Sequence, residues 1–561
     1  MKPPSSTRRP LPCCALCVVV LLVGGAASAA PLIAPTAPLP PQEQTKRFHL
    51  PPGFEIQLVA SEPTIQKPMN LNFDSSGRLW VTHSVEYPFP AQDADKARDG
   101  VTVLSDFADD GRARKAVRFA DRLNIPIGIV PMRGGREAIV WSIPHIWKLT
   151  DTDGDGRADT REILYGPFGH DDTHGNQNAF TYALDGWVYA CHGFRNESSV
   201  RLRGEGDAVM RLQSGNTYRF RPDGSAIEQV SHGQVNPFGL CFDPLGNLYT
   251  ADCHSKPITM ILRGGHYPSF GKPHDGLGFA PQMTNDSHGS TGIAGAAYYA
   301  ADDFPEPYRD CLYVGNVITN RVHRDAITWT GSSPWVSTPA DFVTCDDPWF
   351  RPVDVQLGPD GALYIADFYN RIIGHYEVPL NHPQRDRERG RIWRVVYTGA
   401  ADDAREAPAA PDLSQMSLTE LLNVWQQQNL TLRTLAAHEM VERFGRQVGP
   451  AIANHINGGQ LPANWSQAPW VLLRTGELDE QWIEDLLAEQ HAPLDVHTIR
   501  MLAELPRWND EVRSMVVERM FHGSFIARAG AEALGRHADA ANIEPLLKLW
   551  DEVDAGDAQL V

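Results

Sequence analysis

The sequence predicts an all-β six-bladed β-propeller followed by an all-α, HEAT-like helical repeat region. Three observations predict it. A strand–turn–strand pattern, with Asp-Gly or an equivalent at its turn, recurs six times between residues 48 and 397. An Ala-, Asp- and Pro-rich segment then ends the β pattern, and apolar residues start to recur at helical spacing. Finally, 561 residues with 42% hydrophobic and 21% charged content are enough for more than one core.

At the start, Arg8 and Arg9 precede an apolar run from Leu16 to Val23, and Ala27-Ser28-Ala29 offers small residues for cleavage. Residues 1–29 therefore read as a secretory signal peptide. The expected location is secreted or periplasmic, and an uncleaved segment that associates the chain with a membrane is the alternative. Residues 30–47 are Pro- and Ala-rich and read as an extended or disordered linker.

From residue 48 to 397 the clear copies of the hairpin are MNLNFDSSGRLWVTHS (Met69 to Ser84), NAFTYALDGWVYACHG (Asn178 to Gly193), FGLCFDPLGNLYTADC (Phe238 to Cys253) and VDVQLGPDGALYIADF (Val353 to Phe368). Weaker copies run from Pro126 to Ser142 and from Ile293 to Asn316. Six units, each with room for four strands, describe a propeller. A series of β-sandwiches is the competing all-β reading, but it would not repeat one hairpin signature in every unit.

Residues 398–413 form the domain linker, and 414–561 the helical repeats. Ser417 to Glu420 has the form of a capping box, with Leu418, Leu421, Leu422 and Trp425 at helical spacing behind it. A second stripe, Leu432, Leu435, Ala436, Met440 and Phe444, stops at Gly445. Between Ile526 and Trp550 two helices are split by a polar turn, the layout of a HEAT-type repeat.

The net charge of −19 argues against nucleic acid and anionic membrane as partners. Beyond the signal, Cys191, Cys241, Cys253, Cys311 and Cys345 remain. An odd number leaves at least one thiol free, so disulfides are not the scaffold. No C-x-x-C-H motif is present for covalent haem attachment.

The most specific motif is DTDGDGRADTRE. Asp151, Asp153, Asp155, Arg157 (through its carbonyl), Asp159 and Glu162 occupy the ligand positions of an EF-hand loop around Gly156. The flanks are β-prone, so the loop is placed at the tip of a strand pair. Clustered carboxylates repel unless a cation neutralises them, and Ca²⁺, in a structural role, fits best.

In GHDDTHG, His170 and His174 are four apart but bracketed by glycines. Metal ligation, a solvated loop and a proton-abstracting base at the channel mouth all remain open for them. Polar residues recur just after the second strand of each hairpin, among them His83, His192, Asp252, His254, Asn316, Asp367, Tyr369 and Arg371. They are candidates for a site at the mouth, and hydrogen-bonded turn residues are the bland alternative.

DTDGDGRADTREILYGPFG, DDTHGNQNAFTYALDG, GHYPSFG, YVGNVITNRVHR and RPVDVQLGPDGALYIADFYNRIIGHYE together give the span from Pro51 to Tyr397 a resemblance to a bacterial family of membrane-bound dehydrogenases. In that family a propeller precedes HEAT repeats and, in many members, a cytochrome c domain that this chain lacks. The family is in turn similar to soluble quinoprotein glucose and sorbosone dehydrogenases, which oxidise sugars with pyrroloquinoline quinone and Ca²⁺. The resemblance implies His174 as catalytic base; Asn236, in the segment that resembles the family's quinone-contacting motif, joins the strand-end residues His192, Asp252, Asp367 and Arg371 as candidates around the cofactor. The family's Arg-Asn-Pro-x-Gly reads Val235-Asn236-Pro237-Phe238-Gly239 here, without the Arg.

Two functions follow as expectations. One is an oxidoreductase acting on a sugar or other alcohol with a quinone-type cofactor, passing electrons to a separate acceptor such as a cytochrome c. The other is a non-catalytic, Ca²⁺-stabilised module that binds a glycan or a protein, with the helical repeats as a surface for a protein partner.

Overall fold

A computed structural model of the chain describes residues 31–270, 276–374, 377–399, 407–456, 461–462, 465–488 and 491–561. The expected signal peptide lies outside the described residues, as does part of the 398–413 linker.

The six hairpins become the inner two strands of six blades. The innermost strands are Pro68–Phe73, Ile129–Met132, Asn178–Tyr182, Pro237–Phe242, Ile293–Tyr298 and Pro352–Leu357. Each is antiparallel to the strand after it, for example Phe73 opposite Leu79 and Leu357 opposite Leu363. Blade 6 takes its outermost strand from the start of the propeller. Phe54–Ser61 pairs with Arg391–Tyr397, so the two ends of the β region close the ring.

The recurring turn has a common chemistry. In four blades an Asp opens the turn and a Gly at positive φ closes it, as with Asp185 and Gly186 or Asp360 and Gly361. The Asp carboxylate accepts backbone N–H groups of the turn and one aromatic donor from the next strand. That donor is Trp80 for Asp74, Tyr189 for Asp185, Tyr249 for Asp243 and Tyr364 for Asp360. The aromatic body fills the space between blades while its polar tip satisfies a buried carboxylate, which is why the hairpin signature carries Trp or Tyr.

Halfway along the inner strands the ring draws together. A Cβ on Gly239 would lie 2.7 Å from the Gly295 carbonyl carbon, and one on Gly295 would lie 2.6 Å from the Asp354 Cα. Asp354 joins blade 6 to blade 1, accepting Leu71 N at 2.8 Å and Asn70 Nδ2 at 3.2 Å. Burial raises its carboxyl to about 6. This waist separates an upper mouth, where the inner strands begin, from a lower compartment where they end.

The helical region packs across the lower end. Ser417 and Glu420 form the expected capping box on the helix Leu418–Val424, and Gly445 at φ 50° ends the second stripe. The helix Leu430–Glu439 lies under the channel, with Asn429 Nδ2 on the Gly358 carbonyl and Thr431 Oγ1 on that of Leu357. His438 stacks on Tyr182 at 3.9 Å. Glu504 is the strongest tie. It accepts from Arg219 at 2.8 Å, Arg263 at 3.0 Å and Arg536, and these cations hold its carboxyl down at about 2 against the opposing effect of burial.

The Pro-rich segment runs along blade 6 and is held there. Ala34 and Gln44 are buried, Leu39 N donates to Tyr369 Oη, and Gln44 Nε2 donates to Asp367. Its prolines pre-set an extended path, and the polar groups along blade 6 hold that path in place. All five described cysteines are free thiols. Among the described residues no helix is long and apolar enough to cross a membrane.

Glu504→Gln leaves three arginines short of a buried carboxylate and is expected to destabilise the protein by about 3–5 kcal/mol at pH 7. The depressed pKa makes Glu504's contribution fully present above about 4.5 and lost as pH falls through about 2. Urea unfolding of both proteins should therefore show a gap that shrinks in acid. A gap independent of pH would contradict this origin.

Candidate functional site

The mouth is built from the loops that feed the inner strands. Between the outer strand of blade 2 and the inner strand of blade 3, the chain turns through Thr173–Gly175. The turn is pinned from three sides. Thr173 Oγ1 donates to the Pro88 carbonyl at 2.8 Å, Asn236 Nδ2 to the His174 carbonyl at 3.1 Å, and Asn196 exchanges bonds with the Asp172 backbone. Gly175 is required because a Cβ there would sit 2.2 Å from the Phe194 carbonyl oxygen.

The result is a carboxylate–imidazole pair. Asp172 Oδ1 lies 2.9 Å from His174 Nδ1 and also accepts the His174 backbone N–H. A carboxylate accepts, so Nδ1 carries the proton and the lone pair of the neutral ring is at Nε2. The His174 side chain keeps 15% of its surface exposed. Tyr87 packs edge-on against it at 5.1 Å and meets Phe368 of blade 6 at 5.9 Å, so groups from blades 1, 3 and 6 converge around His174.

Next along the chain, Asn176 and Gln177 are buried, and none of their four amide heteroatoms has a partner among the described residues. Each unpartnered group costs about 1–3 kcal/mol, so two whole amides two and three residues after His174 are a concentrated penalty. The sequence reading missed Asp172, Asn176, Gln177 and Tyr87. The available signal was the run DDTHGNQN, in which a carboxylate two residues before a His at a turn reaches that His, and amides follow without a break.

The other predicted site residues have structural duties. His192 is buried, with Nδ1 on the Ser214 carbonyl at 2.7 Å and Nε2 on Ser198 Oγ at 2.8 Å, which occupies both nitrogens. Asp252 takes the N–H groups of Val235, Asn236 and His254. Asp367 takes those of Arg351 and Tyr369, together with Gln44 and Trp393. Asn316 does the same for Ile318 and Thr319. The polar residue that recurs after each second strand is thus a staple for the mouth loops. Asn236 spends its amide on His174 and Phe194 and so positions the His174 turn. Arg371 lies under the N-terminal segment, where its carbonyl accepts Ala34 N and its Nε is buried without a partner among the described residues.

The acidic loop sits at the opposite end of blade 2, at the tip of the hairpin His145–Thr150 and Thr160–Gly166. Asp151, Asp153 and Asp159 bring one carboxylate oxygen each within 4.8 Å of one another. Glu162 departs from its EF-hand role. It is already in strand, opposite Lys148, and pairs with Lys148 and Arg203. Because β pairing resumes at Thr160, the twelfth position is pulled away from the loop. Asp155 and Arg157 also fall outside the group of three; Asp155 Oδ1 accepts the Arg157 N–H. His170 turns to the Phe168 carbonyl and does not join His174.

Fold and site together define a six-bladed propeller with a helical base and a carboxylate–imidazole pair in its mouth. The chain belongs to the family described as "Domain of unknown function (DUF7133)", which matches residues 40–399. No curated protein matches it. Among solved structures it is similar to an oxidoreductase (glucose dehydrogenase) from Thermus thermophilus, at 16% identity and a TM-score of 0.42, over 61% of this chain and 100% of that one. The holo form of the pyranose dehydrogenase PQQ domain from Coprinopsis cinerea is 14% identical with a TM-score of 0.39, over 65% and 99%. A calcium structure of a family AA12 carbohydrate-active enzyme from Trichoderma reesei is 14% identical with a TM-score of 0.37, over 63% and 97%.

Replacing Asp252 separates a staple from a cofactor ligand. Asp252→Ala strands at least two buried N–H groups and is expected to lower stability by about 2–4 kcal/mol on that account, read as a drop in melting temperature with no ligand added. An unchanged melting temperature would return Asp252 to the candidate ligands.

Proposed function

We propose that this chain is a secreted or periplasmic oxidoreductase that oxidises a sugar or other alcohol in the propeller mouth. What carries the reading is the Asp172–His174 pair, followed two and three residues on by Asn176 and Gln177, whose buried amides have no partner among the described residues. Two amides supply four donors and two acceptors, a set suited to hydroxyl and carbonyl groups. His174 takes the hydroxyl proton at Nε2, and Asp172 holds the ring in the tautomer that allows it and stabilises the imidazolium that forms. Asn236 keeps the turn at its height through the His174 carbonyl.

Alcohol oxidation releases a proton and a hydride, and the chain's own residues account for the proton. A quinone-class group bound in the mouth would supply the hydride acceptor, with a separate electron acceptor such as a cytochrome c beyond it. The amides suit quinone carbonyls. The Arg that the resemblance expects against the carboxylate rim of pyrroloquinoline quinone is missing. Val235 is apolar and buried where the resemblance expects Arg. Lys67 is consumed by the carbonyls of Phe368 and Tyr369 and by Asp386, and Arg387 by the carbonyls of Val85 and Glu86. No step is therefore assigned to that particular cofactor.

With a quinone acceptor and a redox dye, a panel of sugars and alcohols should give turnover that falls about 10²–10⁴-fold in His174→Ala and at least tenfold in Asp172→Asn. Asn176→Ala should raise KM more than it lowers kcat. Absence of turnover across the panel, or activity unmoved in His174→Ala, would end this reading in favour of the non-catalytic binding module.

The Asp151, Asp153 and Asp159 group is proposed as a Ca²⁺ site that stiffens the hairpin tip. Ca²⁺ should raise the melting temperature of the wild type and not of Asp151→Asn/Asp153→Asn, while activity at saturating substrate stays unchanged. A loss of activity on chelation that tracks this double variant would make the ion part of the chemistry.

A further inference from the structure

Below the waist, the inner strands and the helices enclose a cavity of about 290 Å³. Leu240, Phe242 and Met260 line it from the propeller, and Thr434, Trp470 and Ala503 from the helices. Two guanidinium groups, Arg500 and Arg528, also line it. They converge on one atom: each donates through Nη2 to Asn247 Oδ1, at 2.7 and 2.6 Å. Their other oxygen acceptors are neutral too, the carbonyls of Leu245 and Ser332. Arg500 Nε is buried and has no partner among the described residues.

Neither cation makes an ion pair among the described residues. Asp243 and Glu532 act on Arg528 only through space, and the Asp243 carboxylate is spent on Asn247 and Tyr249. Burial first, and then the neighbouring Arg500, hold Arg528 down at about 10. The contrast with the adjoining wall is direct, since there Arg219, Arg263 and Arg536 are all met by Glu504. Arg528 is buried and Arg500 partly buried, and their guanidiniums share one neutral oxygen with no ion pair among the described residues, although Asp243 and Glu532 also line the cavity; arginine forks match a carboxylate. The rest of the wall is largely aliphatic and aromatic, as in pockets that seat an apolar ligand body.

We propose that this lower compartment binds an amphiphilic organic anion, its carboxylate held by Arg500 and Arg528 and its hydrocarbon body seated among Leu240, Phe242, Met260 and Trp470. The site is independent of the chemistry at His174, from which the waist divides it. Because its walls come from both the propeller and the helices, occupancy also strengthens their docking.

Calorimetric titration of the intact chain with octanoate, octan-1-ol and octylammonium tests this. Octanoate is expected to bind once per chain and at least tenfold more tightly than the alcohol or the ammonium, and to raise the melting temperature. Thr434→Trp, which fills the cavity, should abolish binding, and Ala503→Met serves the same purpose where Thr434→Trp fails to fold. Arg528→Met, or Arg500→Met if that variant does not fold, should bring octanoate to the affinity of the alcohol. Non-saturable octanoate binding, equal affinity for the three probes, or binding that survives a folded cavity-filling variant would overturn the proposal.

Discussion

Ring closure is the constraint on which the rest of this structure depends. Blades in sequence alone would leave the first and last free to part, and here the strand Phe54–Ser61, from the start of the β region, pairs with Arg391–Tyr397 from its end. Closure sets blade 6 beside blade 1, which lets Asp354 reach Leu71 and Asn70 and lets Lys67 reach the carbonyls of Phe368 and Tyr369. The mouth loops of the two blades are thereby tied, and Tyr87 and Phe368 meet next to His174. The site is thus assembled from residues nearly 300 positions apart because the chain's β region closes on itself.

The fold was legible because its determinants are local. An Asp, a Gly at positive φ and an aromatic donor all lie within seven residues of sequence, and four blades repeat them, so a hairpin is visible wherever they occur. The helical region was legible for the same reason, through its capping box and its 3.6-residue spacing. The site was legible only in part. Position after the second strand puts Asp252 and Asp367 next to the loops that follow, but position does not reveal partners. Asp252 and Asp367 proved to be saturated by backbone N–H groups that only the folded loops bring near. Glu162 shows the opposite failure: ligand spacing predicted coordination, and strand register, which the spacing rule ignores, decided against it.

Glycine does different work at the turns and at the waist. At the hairpin turns it permits a backbone angle, whereas at Gly239 and Gly295 it permits two strands to touch. That contact divides the channel along its axis. The helix Leu430–Glu439 lies across the lower end, so the His174 turn and the lower compartment sit on opposite sides of the waist.

Partner chemistry also explains why His174, among the imidazoles near the mouth, suits a base. His192 is buried, with both ring nitrogens on a carbonyl and a serine within its own blade region. Burial first, and then Arg118, hold His83 down at about 3, neutral throughout the physiological range. His323 has the Asp341 carboxylate on Nδ1, but the Asn316 amide lies on Nε2 and the ring is stacked on His288 within the blade. His174 combines a carboxylate on Nδ1 with a ring that keeps part of its surface in the mouth. A carboxylate there would stabilise an imidazolium, and the exposed edge of the ring is open to the mouth, the two features that the proposed base requires. It is this pairing of stabilised product charge with access, rather than the presence of histidine, that singles out the turn between blades 2 and 3.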